Sequence, residues 1–142
     1  MSCPLCDEIG GKLLWRNAFC RVILADDPDY PAFLRVILNA HVKEMTDLPE
    51  TDQHALMRVV MATESVLREV MSPDKINLAS LGNVVPHLHW HVIPRFKADP
   101  HFPNPVWGNK QQDRRPHAAP ADLDNRLASA LTRRLARGPE TE

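Results

Sequence analysis

Pro86-His87-Leu88-His89-Trp90-His91-Val92-Ile93-Pro94 is the stretch whose reading decides the fold. Three histidines occupy alternate positions, and the residues between and after them are apolar, β-branched or aromatic, which is the composition of a strand. Successive strand side chains point to opposite faces, so the three imidazoles share one face at intervals of about 6.5–7 Å while Leu88, Trp90 and Val92 pack beneath. Prolines are excluded from the hydrogen-bonded middle of a strand, so Pro86 and Pro94 are expected to bound the element. Imidazoles aligned in this way can divide chemical labour: one as nucleophile, one as donor near a leaving group, one as orienting group or metal ligand. A polar strand face or an adventitious metal site is the plainer reading. It suits a lone histidine better than three in strict alternation.

Residues 87–93 match the pattern His-φ-His-φ-His-φ-φ, with φ apolar, at every position, and the chain thereby resembles the histidine-triad (HIT) family. The resemblance runs upstream through Leu81-Gly82-Asn83-Val84-Val85 and downstream through Pro94-Arg95, and it covers most of residues 1–107. It implies an α+β, HIT-like fold with a mainly antiparallel sheet of about five strands, one long helix and a C-terminal helix. It also implies a homodimer.

At 142 residues the chain is long enough for a single core, and residues 1–142 read as one domain. Hydrophobic residues at 44% and charged residues at 25% are ordinary globular values, so neither a disordered nor a fibrous chain is indicated. A net charge of −1 argues against a general nucleic-acid or anionic-membrane surface, which relies on excess Lys and Arg. Small anionic ligands remain open to local groups. No apolar run approaches the ~20 residues of a membrane span. The opening Met1-Ser2-Cys3-Pro4 lacks a basic segment followed by an apolar one, so the expected compartment is the cytoplasm.

Within residues 1–11, Cys3-Pro4-Leu5-Cys6 reads as a metal knuckle or redox pair rather than a structural disulfide. The turn residues that follow disfavour the redox setting. A closed zinc site would need two further ligands, and Cys20, inside an apolar run, reads as a core thiol instead. Phe19–Leu24 and Phe33–Leu38 are predicted antiparallel strands joined by a turn-rich segment, with a short strand over Lys12–Trp15 before them. Pro49–Met71 carries apolar residues at helical spacing and is stopped by Ser72-Pro73-Asp74. A strand over Lys75–Leu81 and a turn at Gly82-Asn83 lead into the triad. Residues 96–120 hold five prolines and read as an ordered loop, and Ala121–Arg137 reads as an amphipathic helix stopped by Gly138-Pro139.

The resemblance assigns roles to particular residues. His89 becomes the nucleotidylated nucleophile, His91 lies near the phosphate and leaving group, and His87 orients or binds metal. The hairpin formed by the strands before and after residues 25–32 floors the nucleotide pocket. Asp26 is the best positional match for holding the ribose hydroxyls, with Asp27 as the alternative because the loop is one residue shorter than the family pattern; a pair of solvated loop aspartates is the plain reading. Asn83, four residues before His87, matches a phosphate donor. In zinc-bearing members a histidine at the place of His41 joins two N-terminal cysteines and the first triad histidine. Cys3, Cys6, His41 and His87 are all present, which implies one structural zinc ion; the plain reading is a free cysteine pair with surface histidines. Pro105-Val106-Trp107-Gly108 recurs in a bacterial branch resembling diadenosine polyphosphate hydrolases, where it lies near the active site. His101 and Trp107 thus line the pocket, or pack at the surface or a dimer contact. Arg95 is a weaker phosphate candidate, or pairs with a surface carboxylate. The implied function is a nucleotide hydrolase or nucleotidyl transferase acting at the α-phosphate of a nucleoside phosphoramidate or dinucleoside polyphosphate. The alternative is a non-catalytic nucleotide-binding protein of the same fold.

Overall fold

Five short strands alternate their side chains so as to give the sheet two faces of different character. The computed structural model describes residues 2–136, in which β1 (Lys12–Arg16), β2 (Cys20–Leu24), β3 (Leu34–Leu38), β4 (Lys75–Ala79) and β5 (His89–Arg95) form one sheet in the order β1-β2-β3-β5-β4. Every neighbouring pair is antiparallel. On one face Val22, Leu34, Val36, Leu38 and Val92 are fully or almost fully buried against two helices, α2 (Glu50–Met71) and α3 (Leu123–Ala136). The helices contribute Leu56, Val60, Val66, Leu67, Leu127 and Leu131 to this core. The other face holds a smaller cluster of Ile23, Ile37, Ile93, Phe33 and Tyr30, and His89 and His91 belong to it by register with Ile37 and Arg35. The α+β architecture is therefore a sheet with its two long helices on one side and His89 and His91 on the other. No helix among the described residues is long and apolar enough to cross a membrane.

Local sequence explains the long helix. Pro49 stands at its N-cap, where a missing N–H costs nothing, and Ser72 ends it in the left-handed region with φ of 47° and its N–H on the Arg68 carbonyl. Pro73 then prevents continuation.

The expected boundaries around the triad shift, each for a physical reason. The triad strand begins at His89, not Pro86, because the chain bends before it: His87 N–H bonds to the Val85 carbonyl and Leu88 N–H to the Val42 carbonyl. The strand also runs through Pro94 to Arg95. β3 begins only at Leu34, opposite Val92, so at Pro94 only β4 is a neighbour, and a residue lacking an N–H is tolerated there. β4 stops at Ala79 rather than Leu81, since the Ser80 hydroxyl turns to donate to the His89 carbonyl at 2.8 Å. The last helix is described as far as Ala136; the expected stop at Arg137 to Pro139 lies outside the described residues.

The loop after β5 is pinned by a buried ion pair. Arg95, 2% exposed, donates from Nε and Nη2 to the two carboxylate oxygens of Asp99, 1% exposed, at 2.8 and 3.1 Å. It also donates to Asn77 and to the Asn104 carbonyl. Asp99 accepts further bonds from the backbone N–H of Phe96, His101 and Phe102 and from the Tyr30 hydroxyl. Arg95 is thus neither a phosphate contact nor a surface group. Its partner is buried and four of its five N–H donors are taken within the fold. Burial by itself would raise the Asp99 pKa, but the Arg95 side chain and the three backbone donors outweigh it and hold the carboxyl well below the usual carboxylate range. A depressed folded-state pKa means that this stability is present above the ordinary value of 3.8 and is lost as pH falls below it. Asp99→Asn should cost about 3–5 kcal/mol in urea denaturation at neutral pH, because it leaves the Arg95 charge buried without its counter-ion. That cost should shrink below about pH 4, where wild-type Asp99 loses the same advantage. A variant as stable as wild type at pH 7 would contradict this account of the loop.

Candidate functional site

Two groups of side chains meet where β3 and β5 run side by side. The first is formed by Cys3, Cys6, His41 and His87. Cys3 Sγ and Cys6 Sγ each lie 3.4 Å from His87 Nδ1, Cys6 Sγ lies 3.3 Å from His41 Nδ1, and the two Nδ1 atoms are 3.3 Å apart. All four donor atoms fall within 4.8 Å of one another, so the group can hold a metal ion. A tetrahedron of two thiolates and two imidazoles around zinc would have edges of ~3.3–3.8 Å, which these separations approach closely. His87 is fully buried, and its Nε2–H donates to the Leu38 carbonyl at 2.6 Å, which leaves Nδ1 as the bare nitrogen facing the sulfurs. Burial holds the ring's pKa below its ordinary value, although the bond to Leu38 partly opposes this, so the ring is in the neutral form that a metal requires.

Arg21 brings the cysteines to this place. It is 8% exposed on the imidazole face of β2, and it donates to the carbonyls of Leu5, Glu8 and Ile9 and to the side chain of Asn39. These bonds dock the single helical turn α1 (Pro4–Asp7) and its flanks over the sheet. Gly11 makes the docking possible: a Cβ there would stand 2.5 Å from the Leu24 carbonyl oxygen. Neither Arg21 nor the α1 turn was anticipated from sequence. The signal for Arg21 was a charged residue at an inward position of an apolar strand.

The second group is built on His89 and His91. His89 Nδ1–H donates to the His87 carbonyl at 2.5 Å, and its ring meets that of His91 edge-on at 5.0 Å. His91 is also flanked by Phe33 at 5.6 Å and Trp107 at 4.9 Å, both in edge geometry. Arg35, its cross-strand partner, donates from Nε to His91 Nδ1 at 3.3 Å. Burial, then the charges of His89 and Arg35, pushes the His91 pKa down to about 4, so its ring is neutral at pH 7.

The remaining named residues divide. Trp107, 52% exposed, reaches His91 because Val106 packs into the small cluster and Arg95 and Arg114 pin the loop backbone. His101 does not. It is buried beside Asp99, stacked on Tyr30 and hydrogen-bonded to its hydroxyl at 2.7 Å. Asp26 is exposed at the end of β2, and Asp27 is half-buried with its carboxylate accepting from the Asp29 N–H. Asn83 is exposed in the bend ahead of the triad. A groove of about 650 Å³ lined by Arg58, Met61 and Arg133 lies between the helices, away from these residues.

The arrangement is that of a histidine-triad protein. The HIT domain model matches residues 7–98, and the chain belongs to that family. A histidine triad protein from Bradyrhizobium japonicum superposes with a TM-score of 0.69 at 33% identity, covering 87% of this chain and 91% of that one. An AP-4-A phosphorylase of Mycobacterium tuberculosis is 26% identical over 75% of this chain and 58% of its own length. A bis(5'-nucleosyl)-tetraphosphatase (asymmetrical) of Schizosaccharomyces pombe is 28% identical over 64% of this chain and 53% of its own length. The chain thus spans little more than half of these curated relatives.

The four-donor group makes a direct prediction. Titration of metal-free protein with Co²⁺ should give tetrahedral visible bands saturating at about one ion per chain. Arg21→Ala, which loosens the segment carrying both thiols, should weaken that binding by about 10–100-fold. Octahedral spectra, or an unchanged affinity in the variant, would contradict the geometry.

Proposed function

We propose that the protein is a nucleotide hydrolase or nucleotidyl transferase acting at the α-phosphate of a nucleoside phosphoramidate or dinucleoside polyphosphate through a nucleotidyl-His89 intermediate. The observation that carries this reading is the bond from His89 Nδ1–H to the His87 carbonyl. It places the ring's proton on Nδ1 and leaves the Nε2 lone pair free for attack on phosphorus. The names of the two curated relatives, a phosphorylase and a tetraphosphatase of bis-nucleosyl polyphosphates, support the substrate class.

In the first step His89 Nε2 attacks the α-phosphorus, and the bond from phosphorus to the leaving oxygen or nitrogen breaks with its electron pair. That atom accepts a hydrogen bond from His91 and takes a proton from water where its basicity requires one. In the second step water attacks phosphorus, the N–P pair returns to Nε2, and the water proton passes to solvent. A hydroxyl of another substrate in place of water gives transfer. Asp26, with Asp27 beside it, is assigned to the ribose hydroxyls and Asn83 to the phosphate.

Zinc is the ion proposed for Cys3, Cys6, His41 and His87, since two thiolates and two imidazoles are its preferred donors. Four protein ligands leave no open position, so its role is to hold the N-terminal segment and His87 in place. Cysteines kept for a metal rather than for a disulfide fit the cytoplasm.

A binding-only protein would keep the pocket but form no covalent species. Intact-mass analysis after mixing with adenosine phosphoramidate or diadenosine tetraphosphate separates the two, as the enzyme should trap a nucleotidyl adduct that His89→Ala abolishes together with turnover. His91→Ala should lower kcat by about 10²–10⁴-fold, losing a positioned donor but not the attacking atom. Wild-type rates in His89→Ala on every substrate would end the covalent mechanism.

A homodimer is proposed as well. β4 is an outer strand of the sheet, and just beyond it Leu81 and Val84 are 54% and 93% exposed. An open edge beside exposed apolar residues invites pairing with a second copy. Light scattering at micromolar concentration should give twice the chain mass, and a monomer would remove the proposal.

A further inference from the structure

Arg35 stands directly opposite His91 in the β3–β5 ladder, and its Nε–H points into His91 Nδ1 at 3.3 Å. A guanidinium has donors only, so the nitrogen that faces it must be bare. In a neutral imidazole the proton then resides on Nε2. The ring has little freedom to escape this arrangement, because Phe33, His89 and Trp107 contact it from three sides.

A stabilising role explains Arg35 poorly. Its guanidinium is half-buried, and burial lowers its pKa, which marks a charge held at a cost. No carboxylate among the described residues comes within ion-pairing distance of it; Asp27 acts on it only at longer range. Its other contact is the face of Phe33 at 5.3 Å. The neighbouring inward positions, Ile37 on β3 and Ile23 on β2, are apolar and fully buried. An apolar side chain at position 35 would continue that row without the desolvation cost.

We propose that Arg35 is a positioning residue for the reaction: it fixes His91 in the Nε2–H form, so that a neutral ring presents a hydrogen-bond donor to the atom leaving phosphorus. The two triad histidines of β5 are thereby set in opposite tautomers. His89 carries its proton on Nδ1 through the His87 carbonyl and offers a lone pair; His91 carries its proton on Nε2 through Arg35 and offers a donor. The catalytic part of this inference rests on the reaction proposed above, whereas the tautomer does not.

Two measurements test it. Two-bond ¹H–¹⁵N correlation spectra of the metal-loaded protein at pH 7.5 should show the Nε2–H tautomer for His91, with Arg35→Met shifting it toward a mixture. A wild-type Nδ1–H ring overturns the inference whether or not the protein turns over any substrate. In kinetics, Arg35→Met should lose about 10²-fold in kcat/KM on an alkylamine phosphoramidate, whose leaving group needs a donor, and less than about threefold on a p-nitrophenyl nucleotide ester, whose leaving group does not. Arg35→Met combined with His91→Ala should be no slower than His91→Ala alone. Equal losses on both substrates, or additive losses in the double variant, overturn it. Arg35→Leu, which removes the donor and continues the apolar row, should behave as Arg35→Met and serves if that variant fails to fold. Absence of turnover in wild type would refute the proposed reaction, and the spectra would still decide how Arg35 acts on His91.

Discussion

Antiparallel pairing of β3 with β5 is the constraint on which the site depends. The register Leu34↔Val92, Arg35↔His91, Val36↔Trp90, Ile37↔His89 puts a charged residue of one strand against an imidazole of the other, and it is continued by Leu38 N–H on the Leu88 carbonyl. Past that point the chain leaving β3 carries His41, and the chain entering β5 carries His87, so the same pairing brings together the two imidazoles of the four-donor group. A slip by one residue would turn His89 and His91 into the helix-side core and bring Trp90 to the surface. Val36, Leu38 and Val92, all buried under α2, resist that slip. The hydrophobic core on one face therefore sets the chemistry on the other.

The three triad histidines are distinguished by what holds their second nitrogen. His87 gives Nε2–H to the Leu38 carbonyl and turns Nδ1 to the cysteines, His89 gives Nδ1–H to the His87 carbonyl, and His91 accepts at Nδ1 from Arg35. Identical side chains thus acquire different protonation patterns without any difference in sequence context that a single residue would reveal. His87 links the two groups. Its ring belongs to the four-donor group and its carbonyl accepts from the ring of His89, the proposed nucleophile. Tying α1 to the sheet through Arg21 and the four donors accordingly steadies the backbone beneath the histidine pair.

Beyond the triad, the chain spends a buried ion pair on a loop. A pair such as Arg95–Asp99 contributes little net stability relative to apolar packing, because desolvation offsets the attraction. What it does contribute is direction: with three backbone donors on one carboxylate and Asn104 held by Arg95, residues 96–107 have one path, and that path ends with Trp107 against His91. His101 and Tyr30 complete this support from below and leave the site to Trp107.

The sequence by itself determined the sheet and helix content, the alternation that gathers His89 and His91 on one face, and the candidates Cys3, Cys6, His41 and His87, because period-2 and period-3.6 patterns and metal-ligand chemistry are local properties. Turn and cap signals located α2 within a residue, since Pro49 and Ser72-Pro73 act on their own backbone. It did not determine that β5 includes Pro94, which follows from how far β3 reaches, or that Arg95 is buried, which follows from Asp99 and Asn77 converging on it. Nor did it disclose Arg21 and Arg35, single charges in apolar runs whose meaning lies in partners 12 to 56 residues away. Those assignments belong to the tertiary structure, because a hydrogen bond between distant strands has no signature in either strand alone.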